Sequence, residues 1–167
     1  MTDSQLNDLA PAFPLAQRVL ELAAGVQPRT VASAESCTGG LLAAAITSVA
    51  GSSQIFLGGI VAYANQVKVE SLAVPGSLLE AHGAVSPEVA EAMALGIRSR
   101  FGASLGVATT GVAGPGSSES KPAGLIYVAL AGRDGVEVRR LDRDLGRHLN
   151  RVAAVEVALE MMVAALR

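Results

Sequence analysis

The stretch Ala34-Glu35-Ser36-Cys37-Thr38-Gly39-Gly40 gathers a serine hydroxyl, a thiol and a threonine hydroxyl into one short glycine-rich turn. Backbone N–H groups at the start of a helix beyond such a turn stabilise an anion or a developing oxyanion. A serine hydroxyl is a weak nucleophile until a neighbouring base takes its proton. The two histidines, His82 and His148, fall outside the strand ends and have no metal-ligand spacing, so neither a histidine triad nor a metal site is expected. Lysine replaces histidine as the base when desolvation lowers its pKa, and Lys68 is the best placed candidate. Tyr63, five residues earlier, is placed to relay a proton or hold that amine, with the N–H groups of Cys37 to Gly40 as the oxyanion site. The constellation is amidase-like.

These residues must be carried by elements that converge. Thr30 to Glu35 reads as a strand, Leu41 to Ile46 as the start of a helix, and Ile55 to Tyr63 as a strand buried on both faces. Asn65 is expected to cap a short helix running to Leu72, Val74 to Ser77 to break the chain, and His82 to lie in the next connection. Ser86-Pro87-Glu88 supplies an N-cap, a proline at the first helical position and a first-turn acid; Val89, Met93, Ile97 and Phe101 then recur at helical spacing. A third strand over Leu105 to Thr110 leads into Gly111 to Pro122, which resembles a ligand loop. Two further strands flank Gly132-Arg133-Asp134-Gly135, and a final helix from Arg147 to Leu166 buries Val152, Val155, Leu159 and Met162. An earlier helix opens at Pro14, carries Leu15, Val19, Leu22 and Val26 on one face and ends at Gln27-Pro28-Arg29.

The pattern predicts an α/β protein: a three-layer α/β/α sandwich with a mixed, partly parallel sheet, one domain over 14–167 and a flexible tail over 1–13. Ligands of open α/β sheets gather beyond the carboxyl ends of parallel strands. That rule brings together Ser36, Cys37 and Thr38 from strand one, Tyr63, Asn65 and Lys68 from strand two, and Thr109, Thr110 and Gly111 from strand three. Glycines 39, 40, 111, 114 and 116 let a phosphate approach backbone N–H groups, although no Walker or dinucleotide fingerprint is present; a mononucleotide is therefore a better candidate than ATP. Plainer readings stand beside these: Ser36 or Thr38 as a helix cap, Lys68 as a solvated helix charge, Cys37 as a small buried hydrophobe, and Tyr63 as a packing residue.

Composition narrows the class. Half of the 167 residues are hydrophobic and 17% are charged, which points to extensive burial and a homo-oligomer, dimer or higher. A net charge of -2 with 3% aromatic residues argues against nucleic acid. No apolar run reaches the roughly 20 residues that span a bilayer. A lone cysteine and a polar, acidic N-terminus fit a reducing cytoplasm.

At these residues the sequence resembles the CinA C-terminal domain family, whose members include nicotinamide-nucleotide amidases. The resemblance is carried by Ala34 to Leu41, by Gly51-Ser52-Ser53 with Phe56 to Lys68, by His82 to Ser86 and by Thr110 to Pro115, in matching order from about Leu15 to the C-terminus. It implies hydrolysis of the carboxamide of nicotinamide mononucleotide to nicotinate mononucleotide and ammonia in pyridine-nucleotide salvage, with no metal or organic cofactor. It assigns Ser36 as nucleophile, Lys68 as base and Tyr63 as assistant, while the strand-end topology places Cys37, Thr38, Gly39, Gly40, Asn65, Thr110 and Gly111 around the substrate. Two stretches depart from the pattern: Gly116 to Pro122 is less glycine-rich, and Leu145-Gly146-Arg147 lacks the acid often found before the arginine. Many members carry a larger N-terminal domain, which is not expected within these residues and whose activity is not transferred. The rival function is a non-catalytic nucleotide-binding or competence/DNA-damage-associated interaction module.

Overall fold

The computed structural model describes residues 13–25 and 29–167. The expected tail, apart from Phe13, and the helix-closing residues Val26, Gln27 and Pro28 lie outside the described residues. Helix α1 (Pro14–Ala23) has proline at its first position, where the missing N–H has no helical partner to lose. Its most buried face is Ala16, Val19 and Ala23, with Leu15 and Leu22 half-buried beside it. Phe13, at the end of the expected tail, is buried in the same core.

Strand β1 (Val31–Glu35) is followed by α2 (Leu41–Thr47), β2 (Phe56–Val61), α3 (Asn65–Leu72), α4 (Gly76–His82), α5 (Pro87–Phe101), β3 (Leu105–Gly111), β4 (Leu125–Gly132), β5 (Gly135–Asp142) and α6 (Arg147–Leu166). The five strands form one mixed sheet in the order β2-β1-β3-β4-β5. β1 pairs parallel with β2 and β3, while β4 and β5 add antiparallel neighbours. Helices α1, α2 and α6 cover one face and α3, α4 and α5 the other, which is the three-layer α/β/α arrangement.

The period-two alternation of the strands sorts the two cores. Val31, Val107, Ile126 and Val128 fill the face under α1, α2 and α6, whereas Ala32, Ala34, Ala108, Ala129 and Ala131 face α5. Small residues on that second face let α5 lie close. A Cβ added to Gly106 would stand 2.3 Å from the Ala94 carbonyl oxygen, and one on Gly96 would stand 2.0 Å from that of Leu72. The N-terminus of α5 follows the sequence signal: Ser86 Oγ accepts from the Val89 N–H at 3.3 Å, with Pro87 and Glu88 in the first turn.

Three expectations are corrected. β2 is an edge strand that alternates half-buried and exposed residues, with Val61 50% exposed, because its apolar run meets a neighbour on one side only. The stretch after Pro75 is helix α4, so His82 lies in a helical last turn rather than a connection. Asn65 is the first residue of α3; the cap is Ala64, with no side-chain hydrogen bond. Among the described residues no helix is long and apolar enough to cross a membrane.

Candidate active site

β1, its neighbours β2 and β3, and the turn after β1 all end at one edge of the sheet. From β1 the chain turns towards β2 through α2 on one face, and it later reaches β3 through α3, α4 and α5 on the other, so the split falls between β1 and β3. The Ser36 N–H extends the ladder there by donating to the Thr109 carbonyl at 2.9 Å.

Alternation along β1 sends Glu35 towards α2. Its carboxylate is buried and accepts from Thr38 Oγ1 at 2.7 Å and from the N–H groups of Gly40, Leu42 and Ala43 at 3.0, 3.0 and 2.8 Å. The cap of α2 is therefore Glu35, reaching past the turn, and neither Ser36 nor Thr38. Gly40, the residue before α2, has φ of +92°, a conformation that favours glycine. Thr38 is buried, with its hydroxyl 2.7 Å from Thr109 Oγ1 and its carbonyl accepting from Arg151 Nη2 at 2.7 Å. The Gly39 N–H is donated to the Ser36 carbonyl. Among the described residues the N–H groups of Cys37 and Thr38 make no such bond, so they are the donors the turn retains.

A cavity of about 300 Å³ opens beside this turn, lined by Ser36, Cys37, Tyr63, Asn65, Lys68, Thr110 and Gly111 together with residues 112–119 and Arg147. Seven of the ten residues assigned to the site thus share one cavity, with Gly114 and Gly116 beside them, while Thr38, Gly39 and Gly40 do not line it. Thr110 is fixed by donating from Oγ1 to the Ala84 carbonyl at 2.7 Å.

Lys68 is 1% exposed, so the reading of a solvated helix charge is set aside. Nζ donates to the Tyr63 carbonyl at 3.2 Å, and burial lowers the pKa of the amine, an effect partly offset by the charge of Glu119. Ser36 is half-buried and shares the cavity, yet no hydrogen bond joins its hydroxyl to Lys68 among the described residues. Cys37 is buried, and that burial pushes its thiol up to about 12, so the thiol stays protonated near neutral pH. Alkylation by iodoacetamide at pH 7.5 is accordingly expected to leave Cys37 unmodified over hours in the folded protein, with rapid labelling only after denaturation, as intact mass would read.

Arg147 is the residue that sequence reasoning passed over as a site group. Its Nη1 donates to the Gly114 carbonyl at 2.8 Å and its Nη2 to the Tyr63 hydroxyl at 3.3 Å, strapping the loop to the exposed tyrosine across the cavity mouth. The signal was topological: the β4–β5 hairpin returns the chain to the end where β3 finished, so α6 begins beside the cavity. Buried Asn150 secures that start, donating to the Ala113 carbonyl and accepting from the Leu145 N–H, while Asp144 accepts from the Gly146 N–H. Among the described residues no group of three or more His, Cys, Asp or Glu is placed to hold a metal ion.

Fold and site together define an open α/β protein with a cavity at its topological switch point. The chain belongs to the CinA C-terminal domain family, whose model matches residues 13–166. A CinA-like protein of Synechococcus sp. (strain RCC307) is 51% identical over 137 residues, covering 80% of this chain and 33% of that protein. A second, from Synechococcus sp. (strain CC9902), is 49% identical over 151 residues, covering 89% and 36%. The chain thus spans about one-third of the length of the curated relatives it matches. Among solved structures, the competence/damage inducible protein CihA from Agrobacterium tumefaciens superposes with a TM-score of 0.85 at 41% identity, covering 92% of this chain and 94% of that one. The competence damage-inducible protein A (ComA) from Klebsiella pneumoniae gives 0.86 at 31%, covering 92% and 95%.

Proposed function

We propose that the protein is a nicotinamide-mononucleotide amidase of pyridine-nucleotide salvage. The observation that carries this reading is a buried lysine with a lowered pKa lining the same cavity as a half-buried serine at a strand end. Neutral Lys68 takes the Ser36 proton as Oγ attacks the carboxamide carbon, and the N–H of Cys37, which lines the cavity, receives the oxyanion. The Lys68 ammonium then protonates the departing nitrogen, ammonia leaves, and an acyl-serine remains. Water, deprotonated by the same amine, releases nicotinate mononucleotide and regenerates the hydroxyl. Tyr63 holds Lys68 through its carbonyl, and Arg147 at the cavity mouth is the cation for the substrate phosphate.

That no hydrogen bond joins Ser36 Oγ to Lys68 Nζ among the described residues favours, as the second reading, a module that binds a nucleotide without turnover. Catalytic hydrogen bonds often tighten only with substrate present, which keeps the amidase reading first. Ammonia release from nicotinamide mononucleotide by the purified protein separates the two. Turnover supports the amidase; saturable nucleotide binding with no ammonia, under conditions where a known amidase works, leaves the binding module.

A further inference from the structure

The chain has only two lysines, Lys68 and Lys121; its other fixed cations are arginines, which do not titrate near neutral pH. One carboxylate, that of Glu119, lies beside Lys121 and shares a cavity with Lys68. Glu119 is the one acid among the residues lining the cavity that holds Lys68, and its Oε2 lies 3.9 Å from Lys121 Nζ. The carboxylate is anchored where it stands: Oε2 accepts from the Val85 N–H at 3.4 Å, and Lys121 Nζ donates to the His82 carbonyl at 2.7 Å. This clamp closes over Gly83, where an added Cβ would lie 2.6 Å from Glu119 Oε2 and 2.9 Å from Lys121 Nζ.

The backbone is bent to the same end. Ser118 and Lys121 pair across a tight turn whose central residues, Glu119 and Ser120, have φ of +52° and +60°. Asparagine and glycine suit such a turn; a glutamate there occupies a conformation that its Cβ disfavours.

We propose that Glu119 is a positioning residue for Lys68: the Ser118–Lys121 turn holds its carboxylate at the cavity wall as the counter-charge that sets the protonation state of the buried amine. The inference rests on reading Lys68 as the base of the amidase. The other groups facing Lys68 supply no competing anion near neutral pH. Cys37 on the β1–α2 turn is a protonated thiol, Tyr63 offers a carbonyl, and Arg147 on α6 is a cation tied to the Tyr63 hydroxyl. α5 meets α3 through an apolar cluster containing Leu72, Val89 and Met93. Desolvation pulls the amine towards neutrality and the Glu119 charge pulls it back, so the pair tunes a base that must also act as an acid. Glu119 is 36% exposed, so salt weakens its influence.

The test uses protein labelled with carbon-13 at lysine Cε, whose two signals are assigned by Lys68→Met and titrated by NMR without substrate. Glu119→Gln preserves shape and a hydrogen-bond acceptor for Val85 while removing the charge. The expected result is a Lys68 midpoint at lower pH in Glu119→Gln than in the wild type, with a smaller difference at 1 M salt, and a midpoint in Glu119→Asp close to that of the wild type. A wild-type midpoint in folded Glu119→Gln overturns the proposal and leaves Glu119 as a loop anchor only. The rising limb of the pH–rate profile should move to lower pH in step. If the protein releases no ammonia from nicotinamide mononucleotide, the NMR titration still decides the Glu119–Lys68 coupling, so the two readings fail separately.

Discussion

Ser36→Ala and Lys68→Met are each expected to lower the proposed ammonia release from nicotinamide mononucleotide by roughly 10³-fold or more while leaving the fold in place. Alanine at 36 removes the proposed nucleophile, and its N–H can still donate to the Thr109 carbonyl. Methionine at 68 fills the buried volume of the lysine stem and removes the proposed base. Because the two groups act on one proton, the double variant should be little worse than either single one. Near-full activity in either variant, with circular dichroism unchanged, would remove that residue from the mechanism.

Lys68→Met carries a second signature, in stability. The pKa of the amine is lowered in the folded state from 10.5, and burial is the main cause. Between the folded value and 10.5 the unfolded chain binds the extra proton, so wild-type stability rises with pH across that window and is penalised below it. Lys68→Met lacks that rise and should be as stable as the wild type, or more so, at pH 7, with the advantage shrinking towards pH 10. Urea unfolding at the two pH values reads this directly.

Glu35→Ala is expected to destabilise the protein by about 3 kcal/mol or more, the largest loss for any single residue of the turn. The substitution strips the acceptor from three N–H groups at the start of α2 and from the Thr38 hydroxyl, in a site where water does not replace it. Glu35→Gln keeps one carbonyl oxygen but turns an NH₂ group towards donors, and should fall between alanine and wild type. Urea midpoints give the order, and amide exchange at Leu42 and Ala43 gives the location. A loss below about 1 kcal/mol for Glu35→Ala would mean that the capping bonds are replaced on mutation.

Much of this was legible in the chain, for identifiable reasons. The α5 start was readable because Ser86, Pro87 and Glu88 act over a single turn. The three-layer fold was readable because period-two and period-3.6 runs alternate along the chain, and the carboxyl-end rule then converges Ser36, Tyr63, Lys68 and Thr110 without any distance being known. β2 was misjudged because an apolar run does not say how many neighbours a strand has; its edge position is a property of the whole sheet. Asn65 was misjudged as a cap because the helix began one residue earlier than its side chain could serve.

The glycine-rich turn divides most clearly into what the chain determines and what the fold decides. The sequence by itself determined that a strand ends at Glu35, that a helix begins near Leu41, and that a serine hydroxyl lies between them, because local sterics and hydrophobic period act within a few residues. It equally determined that the cations kept as lysine are only two. The tertiary structure decided that Glu35 caps the helix while Ser36 faces the cavity, that Lys68 is buried rather than solvated, and that Arg147 and Glu119 reach the same site. Those outcomes depend on which residues distant in sequence arrive at one sheet edge, and burial and charge environment are set by those arrivals rather than by the neighbours along the chain.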